Sequence, residues 1–175
     1  MRLVATREAT QLTGLSAVTL REWTSRRALI PADVPPKSQG SSARYSWQTI
    51  LLLRLAATLR DRFHLELQAH RGLFAGLRHA LAQTSFIALW GKALVLKGGD
   101  RWALLGDSDR GALREDGVVV HLDVHLEALS RGFSLPGPAF APGQLELFPP
   151  QPVGSRPTSA RTQRPPSILN RRKTA

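Results

Sequence analysis

Apolar positions recur at two different spacings along this chain, and the change of spacing divides it. Near the N-terminus Ala9 and Leu12 stand three apart, the interval of one helix face, with Thr6 where an N-cap is expected. Gly14 predicts the end of that helix, because only glycine enters the left-handed cap conformation without a Cβ penalty. Ser16 predicts a new N-cap, and Val18, Leu20 and Trp23 follow at mixed helical spacing. Residues 31–42 hold three Pro, one Gly and three Ser and read as a loop. Helical spacing resumes at Trp47 in WQTILLLRLAATLRDRF, with Ile50, Leu51, Leu55 and Leu59 as the expected buried stripe. A further helix is expected over residues 67–81, with Leu73, Leu77 and Leu81 on one face.

Beyond about Thr84 the period shortens. LVLKGGDRWALL (residues 94–105) places two apolar runs around Gly98-Gly99, the pattern of a tight β-hairpin. VVVHLDVHL (residues 118–126) alternates, which predicts one half-buried strand with Val118, Val120, Leu122, Val124 and Leu126 inward and Val119, His121, Asp123 and His125 outward. LEALSRGF predicts a short closing helix ended by Gly132. From residue 136 onward the chain holds nine of its twelve prolines and few large apolar residues, the composition of a disordered tail, with an apolar anchor expected at LELF (residues 145–148). The expected organisation is therefore a mainly α N-terminal domain over residues 1–84, a small β-rich module with α+β character over 85–135, and a Pro/Arg-rich basic tail over 136–175.

Charge sharpens that division. Residues 1–84 carry twelve Lys/Arg against five Asp/Glu, residues 85–135 six against seven, and residues 136–175 six against one. A basic head and tail around a near-neutral middle suit a polyanionic partner, of which nucleic acid is the commonest. Solvated arginines in an Arg-rich composition are the plainer alternative. The chain has no Cys, which excludes disulfides, thiolate metal sites and Cys nucleophiles. It begins without an apolar leader, and its longest apolar run, Ile50 to Leu55, is interrupted by Arg54, so a cytoplasmic protein without a membrane partner is expected.

The segment TGLSAVTLREW (residues 13–23) has the ingredients of a helix-turn-helix: a first helix that packs, a tight turn, and a second helix with Ala17, Thr19, Arg21, Glu22 and Thr24 open to solvent or bases. TREATQLTGLS, TLREW, ALIP and ARYSW follow one another in that order, ahead of a long apolar helix. In this, residues 3–82 resemble the MerR-type winged helix-turn-helix group, including its excisionase-like relatives. The resemblance implies a winged helix-turn-helix that binds double-stranded DNA. It places Thr19 and Arg21 on the recognition helix, with Arg21 at phosphate. It places Ser16 and Ala17 at the helix start, where amides face phosphate oxygens, and Arg44 and Tyr45 in a wing on the DNA backbone. Arg26 and Arg27 would reach an adjacent strand, although they equally suit a helix C-terminus. Tyr45 also suits core packing, and Trp23 is expected in the core rather than stacked on a base. The chain departs from the group at Glu22, where an aromatic is usual, and at Ala43, where the wing usually has a second Arg. Glu22 beside DNA would be repelled unless it read a cytosine amine or braced Arg26.

Other constellations point to little chemistry. On a strand, His121 and His125 would stand roughly 13 Å apart at about 3.3 Å per residue, too far to share a metal ion. His64, His70 and His79 have no carboxylate at ligand spacing. GGD (residues 98–100) and GDSD (residues 106–109) sit where turns are needed, and no nucleophile elbow accompanies any Ser. No catalytic set, metal or cofactor is expected. The expectation is a sequence-specific DNA-binding protein, a bacterial transcriptional regulator associated with the nucleoid. It would act as a homodimer or with a protein partner held by residues 85–135. The rivals are an excisionase-like DNA-bending factor and an antitoxin or adaptor.

Overall fold

The computed structural model describes residues 2–38, 41–106, 109 and 116–138. The LELF anchor and all but the first three residues of the expected tail lie outside them, as do Asp107 and Ser108 of the GDSD segment.

The chain opens with a two-residue strand, β1 (Val4–Ala5), which runs straight into helix α1 (Thr6–Thr13). Ala5, not Thr6, occupies the cap position, because β1 is held in extended form by antiparallel pairing with β2 (Arg44–Tyr45). The Thr6 N–H donates instead to Ser42 Oγ at 3.2 Å. Gly14 ends α1 at φ 73°, its N–H returning to the Thr10 carbonyl. Ser16 caps α2 (Ala17–Arg21) by accepting from the Thr19 N–H, a bond worth about 1 kcal/mol to a short helix. The helix then widens into one π turn over Glu22–Arg26.

The spine is α3 (Trp47–Phe63), capped by Ser46. Ile50, Leu51, Leu55 and Leu59 are buried as expected, and so are Leu52 and Leu53, which make three buried positions in a row with Leu51. Three successive buried positions sweep about 200° of a helix circumference, so α3 is covered on most sides. Helix α1 lies against it, as do α4 (Arg71–Ala82) and α5 (Asp123–Phe133). Leu73, Leu77 and Leu81 form the buried face of α4, joined by Phe74. Arg54, the one charged side chain inside the apolar run of α3, donates to the carbonyl of Leu12 and so satisfies an orphan acceptor at the end of α1.

The three-stranded antiparallel sheet has the order β4-β3-β5. Strands β3 (Ala93–Leu96) and β4 (Trp102–Leu105) form the hairpin expected around Gly98-Gly99, and β5 (Val118–His121) flanks β3 on its other edge. The single strand expected over residues 118–126 is corrected here. Pairing with β3 ends at Ala93↔His121, and Asp123 opens α5, its carboxylate accepting from the Gly91 N–H at 2.8 Å. Leu122, Leu126, Leu129 and Phe133 are all buried, a helical i, i+4, i+7, i+11 series. The shorter series Leu122–Val124–Leu126 had mimicked alternation, and Val124 is in fact 68% exposed. The helix passes through Gly132 and ends after Phe133.

The boundary expected near residue 84 is not a break in the core. Phe86 stacks edge-on against Trp47 at the start of α3, 5.2 Å between centroids, and Trp90 against Phe86 at 6.0 Å. One continuous cluster of buried residues runs from Val4 to Phe133. The described residues are thus a helix-rich fold carrying a small antiparallel sheet. Among them, no helix is long and apolar enough to cross a membrane.

Candidate nucleic-acid interface

The turn between α1 and α2 presents a short helix with one buried and one outward face. Leu20 and Trp23 face in, while Ser16, Ala17, Val18 and Arg21 face out. On a helix, residues 17, 18 and 21 are neighbours at i, i+1 and i+4, so they form one outward patch. Arg21 has no side-chain partner among the described residues. Thr19 is half-buried, and its hydroxyl lies 2.9 Å from Ser16 Oγ, so both side chains are engaged in capping the helix. Thr24, expected to be open, is buried, its hydroxyl donating to the Leu20 carbonyl at 2.9 Å.

The π turn decides the fate of Glu22. In a wide turn the residue stacked over position i is i+5, and the Arg27 N–H indeed donates to the Glu22 carbonyl at 2.8 Å. The Glu22 carboxylate therefore accepts from Arg27 Nε at 2.6 Å, and Arg26, expected as its partner, is left exposed with no ion pair among the described residues. Neutralising Glu22 in this way removes much of its repulsion from a nearby polyanion. Trp23 sits in the core, as expected, with the Arg60 guanidinium over its ring at 4.9 Å.

Two arginines of α4 fix the exit from this helix. Arg71 donates to the Arg27 carbonyl, and Arg78 donates to the Pro31 carbonyl at 2.7 Å while reaching Asp33 at 3.4 Å. The segment that follows returns through a bridge between Val34 and Arg44. Asp33 pins its base, accepting from the Ser46 N–H at 2.6 Å and the Ser46 hydroxyl at 3.1 Å. Val34 and Arg44 thus close the segment between them by short antiparallel pairing. Arg44 is exposed on it, without a side-chain partner among the described residues. Tyr45 is not on that surface: it is 2% exposed, packed in the core opposite Val4. Alternation along β2 explains the correction, since one of two successive residues must face inward.

Two features escaped the sequence pattern. Val18 is 73% exposed, although its apolar character marked it for packing. Arg54 and His125, which the sequence pattern does not link, line one cleft behind the turn. His121 is exposed and His125 buried, and among the described residues no three His, Cys, Asp or Glu side chains gather as metal ligands.

No family model matches the chain. No curated protein matches it either. The likeness to the MerR-type group therefore rests on the ordered motifs of residues 3–82 alone.

Proposed function

We propose that this chain binds double-stranded DNA with sequence preference, as a winged helix-turn-helix of MerR-like type, and serves in the cytoplasm as a bacterial transcriptional regulator. The observation that carries this reading is the outward patch of α2. A capped helix of five residues follows a tight glycine turn, with a packed inner face and an outer face of Ala17, Val18 and Arg21. Such a face has the size and the donor that a major groove accepts. Arg44 on the adjoining loop and Arg26 at the end of the π turn supply further unpaired cations for phosphate. So small a surface makes few base contacts, and useful affinity then requires a homodimer or neighbouring copies on the DNA.

The test is selection of bound sequences from a random duplex pool, followed by affinity measurements over a range of salt. The wild type should enrich a defined motif. Arg21→Ala combined with Arg44→Ala should weaken binding by about tenfold or more and lower the slope of log K against log salt by about 2, one unit for each lost phosphate contact. The absence of any enriched motif, or an unchanged slope in the double variant, would sink the assignment of this face. Circular-permutation bending assays on the enriched site separate a regulator that leaves DNA nearly straight from an excisionase-like factor that bends it.

A further inference from the structure

Behind the turn, α3 and α5 enclose charged side chains that no described carboxylate neutralises. A cleft of about 390 Å³ is walled by Arg54, Thr58 and Arg62 of α3 and by His125 of α5. An adjoining cleft of about 250 Å³ shares those four residues and reaches Thr13, Gly14 and Leu15 of the turn. His125 is 8% exposed, and its buried Nδ1 has no hydrogen-bond partner among the described residues. Arg54 Nε is likewise buried and unpartnered among them, the guanidinium donating to the Leu12 carbonyl through Nη1. Arg62, at the mouth, has no ion pair among the described residues. The carboxylate on this rim, Asp61, is held by Arg60 at 2.6 Å. Buried polar groups in native proteins are nearly always satisfied, so two orphaned nitrogens, one of them on the Arg54 guanidinium, beside the unpaired Arg62 suit an anionic ligand.

The rim adds a second, independent observation. Among the described residues only four large hydrophobics are exposed, and two of them, Phe63 at 40% and Val124 at 68%, border this cleft. Val119 and Val120 of β5 line it as well. Cations inside an apolar mouth match a ligand with a charged head and an organic body.

We propose that this cleft binds a small organic dianion of the phosphate-monoester class, its phosphate held by Arg54, Arg62 and Thr58 beside His125 and its organic part against Phe63 and Val124. Two guanidiniums balance two negative charges, and the Thr58 hydroxyl supplies a further donor. The site stands independently of DNA binding. His125 reports on it. Burial, with Arg54 and Arg62 nearby, holds its pKa down to about 4. A dianion between those groups reverses the electrostatic part of that depression. His121 of β5 also faces the cleft, while Asp61 remains engaged by Arg60.

The experiment uses the full chain and phenyl phosphate, with inorganic phosphate and chloride at matched ionic strength for comparison. Calorimetry should give saturable binding of phenyl phosphate, tighter than that of inorganic phosphate. Imidazole titration by NMR should show the His125 pKa raised with ligand bound, the monoester keeping at least one negative charge throughout that range. Arg62→Gln, a change at an exposed position that leaves the core untouched, should weaken binding about tenfold, the usual effect of losing a charge-assisted hydrogen bond. Val124→Ser should erase the preference for phenyl phosphate over inorganic phosphate. No saturable binding at millimolar ligand would overturn the proposal. So would binding that ignores Arg62→Gln and leaves the His125 titration unmoved, since the anion would then sit on other arginines.

Discussion

Ala28 stands at the exit of the π turn with φ at +47°, a left-handed conformation that L-residues other than Asn and Asp rarely adopt. It is held there because the N–H groups of Leu29 and Ile30 both return to the Trp23 carbonyl, closing the helix end. Ala28→Gly should therefore stabilise the protein by a few tenths to about 1 kcal/mol, read as a shifted urea midpoint at constant slope. Gly117 shows the reverse constraint, because a Cβ there would collide with the Leu96 carbonyl oxygen, a backbone atom that cannot yield. Legibility at this scale followed locality. Gly14 and Ser16 were readable because their roles depend on a few adjacent backbone groups. Thr24 and Val18 were not. A threonine that bonds its own i−4 carbonyl can be buried at little cost, and an exposed valine has no local mark to distinguish it from a core valine.

Among the elements, the segment ahead of β2 shares one fastener with α3. The Asp33 carboxylate accepts from both the N–H and the hydroxyl of Ser46, the residue that caps α3, and meets Arg78 of α4. Asp33→Ala would leave the partly buried Ser46 donors unpaired, at a cost of about 1–3 kcal/mol. Asp33→Asn, which keeps a carbonyl acceptor, should recover part of the loss, and chemical denaturation of the pair of variants checks both statements. If Asp33→Ala unfolds at the wild-type midpoint, the fastener is not one. At this scale the sequence was legible where a single period ran long enough. The helices α3 and α4 emerged with their buried faces. The junction of β5 and α5 did not, because Leu122, Val124 and Leu126 satisfy a period of two just where a period near four begins. Leu129 and Phe133, an odd number of positions from Leu122, settle which period holds.

For the whole molecule, His125 ties stability to pH. Its folded pKa of about 4 lies below the ordinary value of 6.5, because the imidazole is buried and Arg54 and Arg62 stand near it. The unfolded chain takes up a proton as pH falls through 6.5, whereas the folded chain does so only near 4. Stability from this group is therefore full above the higher value and is lost between the two, on the order of 3 kcal/mol in all. Urea titrations taken from neutral pH down to about pH 4.5 should show that decline, and His125→Phe should flatten it. A decline of equal steepness in the variant would assign the effect to other groups. The candidate site was legible in part for a reason of the same scale. Motif order along residues 3–82 located the turn and the loop, but which side chains the core would claim from them, Tyr45 above all, depends on packing partners distant in sequence.

The burial of Leu51, Leu52 and Leu53 in succession has a consequence for how this protein can be taken apart. A helix wrapped on most of its circumference has no face to spare, so the first three helices are not a spare part that can be lifted out and joined to another partner. Cut at the apparent seam, they would arrive with their spine stripped and sticky. Inheritance of these helices, in a gene or on a bench, has to bring the sheet and α5 along with them.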